Sequence, residues 1–173
     1  MKRKILSSDK KIARIASDSA FVCAALALSY LENLIPIQFI IPLPGFKLGL
    51  ANIAVTVCAF RHSVKDAAAV SLCRILISFL LFGGATSLLF SLLGAALSCA
   101  ALILPTKKRT GLSFIGIPIL CALAHNAGQC IAAFILMGRA VLSYIPALLS
   151  ASLIYGALCG IVLCLIPDKI YKN

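Results

Sequence analysis

Arg74 is the residue hardest to read as packing. It lies mid-way along an apolar run, with Ser71 and Ser78 at i−3 and i+4 on the same helical face. A charge near the centre of a bilayer costs about 2.5–3.5 kcal/mol on insertion scales, so such a residue is a functional suspect by default. The stretch AHNAGQC places His125 and Gln129 on one helical face, with Asn126 one step around. Glu32 and Asn33 close an earlier apolar run, Lys47 stands alone after it, and Asn52 opens the next. Together these residues offer positive charge and neutral donors, a chemistry suited to holding a small anionic or aromatic molecule. Each also has a structural reading. Arg74 can pair internally or bond a carbonyl, His125 and Gln129 can bond between helices, and Glu32 can anchor an interface against Lys47.

The elements that must position them follow from composition. The chain has 173 residues, 62% of them hydrophobic and only 12% charged. Its mean hydropathy is +1.08, and soluble domains are roughly 45–50% apolar. The reading is an all-α integral membrane bundle, with length for six helices of about 20 residues each. The expected helices span 15–34, 48–60, 67–82, 85–104, 112–137 and 143–166, with Pro118 bending the fifth. A basic segment, 1–14, precedes this 15–166 membrane domain, and a short tail, 167–173, follows it. The basic start and the apolar run read together as the first helix rather than as a cleaved leader.

The net charge of +11 sits in short clusters between apolar runs, a pattern of topology rather than of a nucleic-acid face. Lys2, Arg3, Lys4, Lys10, Lys11 and Arg14 precede helix 1. Arg61 and Lys65, then Lys107, Lys108 and Arg109, then Lys169 and Lys172 fall on the same side of a six-span bundle. Only Lys47 and Arg139 fall on the other, so both termini are expected in the cytoplasm. Eight cysteines are scattered through the apolar runs without a C-x-x-C pair, and read as small packing residues rather than as a metal or disulfide framework.

The segment 35–46 joins helices 1 and 2 and is apolar, yet carries Pro36, Pro42, Pro44 and Gly45. It cannot be one helix, and non-helical backbone at membrane depth is tolerated where it lines a cavity or is buried in protein. It is expected as a lid or wall over an outward-facing pocket. Small residues repeat at four-residue spacing at Ala16, Ala20 and Ala24, at Ser87, Ser91 and Ala95, and at Gly156 and Gly160. Such stripes let helix backbones approach closely, and the one on helix 1 could serve either internal packing or an external partner.

The stretches PLPGFKLGLANI, LCRILISFLLFGGATSLLFSLLGAALS and AHNAGQCIAAFILMG resemble the Gx transporter family, often labelled heptaprenyl diphosphate synthase component I. That family looks like the substrate-binding S components of energy-coupling factor transporters, which capture micronutrients in bacterial cytoplasmic membranes. The resemblance implies a six-helix fold, a transmembrane coupling subunit and a pair of ATPases as partners, and a docking face on helix 1 at Ala16, Ala20 and Ala24.

The enzyme label meets a physical objection. Prenyl diphosphate synthases hold magnesium diphosphate through clustered carboxylates, and the five acidic residues here, Asp9, Asp18, Glu32, Asp66 and Asp168, are unpaired in sequence. There is no Walker motif either. The expectation is a substrate-capture subunit without catalytic, cofactor or metal function, binding through Glu32, Asn33, Lys47, Asn52, Arg74, His125, Asn126 and Gln129. The alternative is a membrane accessory protein of isoprenoid, quinone or flavin-linked electron-transfer metabolism.

Overall fold

A computed structural model describes residues 2–34, 49–82, 84–107, 113 and 115–165. Lys47 and the expected lid at 35–46 lie outside the described residues. All regular structure among the described residues is helical: α1 Lys2–Leu34, α2 Asn52–Arg61, α3 Val64–Phe82, α4 Ala85–Lys107, α5 Gly116–Met137, a 3-10 stretch Gly138–Tyr144, and α6 Ile145–Leu165.

Four segments are long and apolar enough to cross a membrane: Asp9–Leu34, Ala85–Leu104, Gly116–Ser143 and Ile145–Leu165. The helix α3 has 19 residues but carries Lys65, Asp66 and Arg74. The helix α2 has only 10 residues, or about 15 Å, half of a hydrocarbon core. It starts four residues later than its apolar run because the chain turns at Gly49 before helical geometry begins. Of the six helices, four meet that length and apolarity among the described residues.

Other boundaries differ for local reasons. The helix α1 continues back through the basic segment to Lys2, since no proline or glycine interrupts it. Pro118 does not bend α5. It occupies the first turn, where its missing N–H has no intrahelical partner to lose. The helix α4 runs through Pro105 to Lys107 rather than stopping at it.

Apolar side chains cover the outside, and the polar ones are drawn inside among a mostly apolar core. Leu80, Leu81, Ile135, Ile154 and Leu165 are all exposed, whereas Ser29, Glu32, Thr56, Arg74, His125, Asn126, Gln129 and Ser152 are buried. This inversion is what a bundle solvated by hydrocarbon requires, because polar groups there must find partners within the protein.

Small residues set the helix spacing. A Cβ on Gly128 of α5 would lie 2.3 Å from the Leu93 carbonyl oxygen of α4, so the two backbones touch at that point. The pair Gly156 and Gly160 of α6 lies against α5, where added Cβ atoms would come within 2.6 Å of Ile119 Cα and 2.8 Å of Ile115 Cα. That stripe is internal packing. The α1 stripe is different. Ala16, Ala20 and Ala24 are exposed, while Phe21, Val22 and Ala25 pack on the α2–α3 side of the bundle.

Candidate functional site

The site is built around Gly49. Its φ is +88°, a conformation open to glycine at little cost. Its N–H donates to Glu32 Oε1 at 2.7 Å, so the last turn of α1 holds the turn that leads into α2. Its carbonyl accepts the Asn52 N–H at 2.9 Å. A Cβ here would lie 2.9 Å from Asn52 Nδ2 and 3.5 Å from His125 Cδ2. The absent side chain thus lets a carboxylate from α1, an amide from α2 and an imidazole from α5 meet at one turn.

Arg74 approaches from α3. It is 4% exposed, and its guanidinium donates to Ser29 Oγ of α1 at 3.0 Å. Glu32, one turn beyond Ser29, attracts it electrostatically. Arg74 Nε and the hydroxyls of Ser71 and Ser78 are buried without a hydrogen-bond partner among the described residues. A buried donor without a partner costs about 1–3 kcal/mol, so Arg74 retains hydrogen-bonding capacity that a ligand carboxylate, phosphate or carbonyl could use.

On α5, the Nε2 atoms of His125 and Gln129 meet at 2.9 Å. With the amide donating, the ring nitrogen accepts. The imidazole also stands against α4, where a Cβ on Gly94 would lie 2.7 Å from its Cε1. Asn126 points elsewhere: its Nδ2 donates to the Leu148 carbonyl at 3.1 Å and to Ser152 Oγ at 2.5 Å, tying α5 to α6. Asn52 is partly buried and lines a cleft with Thr56 of α2, Pro118 of α5, and Tyr155 and Cys159 of α6.

The structure therefore gathers Glu32, Asn52 and His125 at the Gly49 turn, with Gln129 bonded to His125 and Arg74 bonded to Ser29 one turn before Glu32. Asn126 belongs to the α5–α6 contact, and Asn33 is exposed, one helical step away from the inward face of Glu32. Gly49 was not singled out in the sequence, although a glycine two residues after Lys47 and three before Asn52 was the available signal. Ser29 was missed as well.

A second polar cluster was also missed. Further back along α1, Arg14 pairs with Asp66 at the start of α3. Ser63 caps α3, its Oγ accepting the Asp66 N–H at 3.3 Å as an N-cap hydroxyl does, and also donating to Asp66 Oδ2 at 2.6 Å. His62 Nε2 lies 3.0 Å from Ser17 Oγ and 3.7 Å from Asp18 Oδ1. The run 61–66 is thus the anchor of α1 as well as a polar turn.

A family model described as heptaprenyl diphosphate synthase component I matches residues 21–166. No curated protein and no solved structure matches the chain.

Proposed function

The chain belongs to the heptaprenyl diphosphate synthase component I family, and we propose that it is a non-catalytic substrate-capture subunit of a membrane transporter. It takes a small micronutrient or precursor into the polar centre of the bundle and is energised by a separate coupling subunit and ATPases. The observation that carries this reading is the pair of buried bonds Arg74–Ser29 and Gly49–Glu32, one helical turn apart on α1, with donor capacity left on Arg74. A desolvated guanidinium is costly in a bundle that needs only to pack.

In this reading both termini are cytoplasmic, six segments cross the membrane, and 35–46 covers the ligand from outside. Lys47, Asn33 and Asn126 join the binding set through that cover or by positioning it. The exposed alanines of α1 face the coupling subunit.

Native mass spectrometry of the protein purified in mild detergent tests the proposal. The expected result is a co-purifying small molecule bound one to one, lost on Arg74→Ala while the bundle stays folded. A folded Arg74→Ala protein that keeps the same molecule, or a wild-type protein that carries none from any host or medium, would overturn it.

A further inference from the structure

We propose that the seam between α3 and α4, at the end of the bundle bearing Lys65, binds one anionic phospholipid. Its headgroup sits at Lys65 and one acyl chain lies along the seam. This site is separate from the Gly49 centre and does not depend on it.

A cavity of about 670 Å³ opens between the α2–α3 turn and α4, with His62, Ser63 and Lys65 at its mouth. Ligand pockets run roughly 300–1,000 Å³. A second cavity of about 170 Å³ shares Ala68, Ala96 and Cys99 with it and continues to Ser71, Ile75 and Leu92. The two form one groove. Along α4 it reaches from Ile103 to Leu92, about 16 Å at the helical rise per residue.

Its shape selects the occupant. The groove exists because Ala68, Ala96 and Ala100 are small and exposed, between larger exposed side chains at Leu72, Leu92 and Ile103. It therefore opens sideways onto the apolar surface. A free anion would find only the Ser71 hydroxyl in an otherwise apolar deep half. A partner helix, about 10–12 Å wide with its side chains, is too broad for a 170 Å³ cavity. A single hydrocarbon chain fits both limits.

Charge selects the headgroup. Lys65 is exposed at the mouth, and Arg61 precedes it on the same turn. Asp66, the carboxylate next to Lys65 in sequence, is already paired with Arg14 and bonded by Ser63. The cationic mouth is thus not neutralised from within. Ser71, 2% exposed and with its hydroxyl unpartnered among the described residues, lines the deeper half. It gives the groove one donor for an acyl ester carbonyl.

The test is native mass spectrometry of the full chain in detergent with equimolar phosphatidylglycerol and phosphatidylcholine of the same chain length. One retained lipid is expected, with phosphatidylglycerol favoured roughly fivefold, the equivalent of about 1 kcal/mol for one lysine near an anionic headgroup. Ala96→Phe, at an exposed position, should fill the groove and abolish retention of both lipids. Lys65→Gln should retain lipid but lose the preference, and Leu80→Phe on the outer face of α3 should behave as wild type. Equal retention of the two lipids by the wild type, unchanged retention by Ala96→Phe, or a dimer in place of a bound lipid would overturn the proposal.

Discussion

The backbone N–H of Gly49 bonds the carboxylate of Glu32 at 2.7 Å, across the segment that separates α1 from α2. This bond fixes where α2 begins. Glu32→Gln keeps an acceptor for that N–H and is expected to be mild. Glu32→Ala leaves the N–H buried and unmatched, at about 1–3 kcal/mol. Gly49→Ala should cost a further kind of strain, about 1–2 kcal/mol for a side chain in a left-handed conformation, plus the 2.9 Å approach to Asn52. Thermal unfolding in detergent should rank the variants in that order of severity, Gln least.

Arg74 is where ligand affinity should concentrate. Asn52→Ala and Gln129→Ala are each expected to weaken binding of the native ligand by roughly 5- to 150-fold, the equivalent of one lost desolvated partner. Arg74→Ala should cost more for an anionic ligand, and Arg74→Lys should restore only part, because the planar fork is lost. Calorimetric titration of the four variants checks this. Wild-type affinity in all of them would make the polar centre structural.

Neighbouring alanines on α1 should respond in opposite ways. Ala24 is exposed and Ala25 is 0% exposed. Ala24→Trp and Ala20→Trp are expected to fold normally yet fail to co-purify with a coupling subunit. Ala25→Trp should lower the unfolding temperature, since overpacking costs about 1–3 kcal/mol. Destabilisation by Ala24→Trp equal to that by Ala25→Trp would remove the docking face.

The α4–α5 contact should be the least tolerant in the bundle. Gly128→Ala places a Cβ 2.3 Å from the Leu93 carbonyl oxygen, and neither backbone can yield alone. A loss of at least about 1–3 kcal/mol is expected. Gly138→Ala meets nothing within 4 Å and carries only its positive φ, so it should be the milder of the two. Unfolding midpoints compared in one detergent decide the order.

Orientation can be read from two exposed positions. Lys65→Cys and Arg139→Cys, each in a cysteine-free background, should label from opposite sides of the membrane, with Lys65 inside. Labelling of both from one side would reject the charge-based topology.

The inward placement of Arg74, His125 and Gln129 was legible in the sequence, because a polar residue in an apolar helix has few places to go. Helical phase also carries the contrast between Glu32 and Asn33, once one of them is known to face inward. The long-range bonds were not legible. The pairs Arg14–Asp66, Arg74–Ser29 and Gly49–Glu32 join residues 52, 45 and 17 positions apart. Arg74 and Glu32 stand out alone, but their partners Ser29 and Gly49, like Arg14 and Asp66, look like an ordinary small side chain, a turn or surface charges. Prolines misled because their effect depends on position: Pro118 in a first turn costs α5 nothing, whereas the same residue mid-helix would kink it.

The unbroken course of α1 has a mechanical consequence. Its 33 residues make a rod of about 50 Å, some 20 Å longer than a hydrocarbon core. Neither proline nor glycine gives it a hinge. The rod is pinned over a third of the way along by Arg14 on Asp66 and near its far end by Glu32 on Gly49. A rod pinned twice cannot yield locally. Releasing both Glu32 and the nearby Ser29–Arg74 bond would let it pivot about Arg14, and the exposed alanines lie between the two pins. Any such pivot would tilt the alanine face, with the basic overhang as its lever arm.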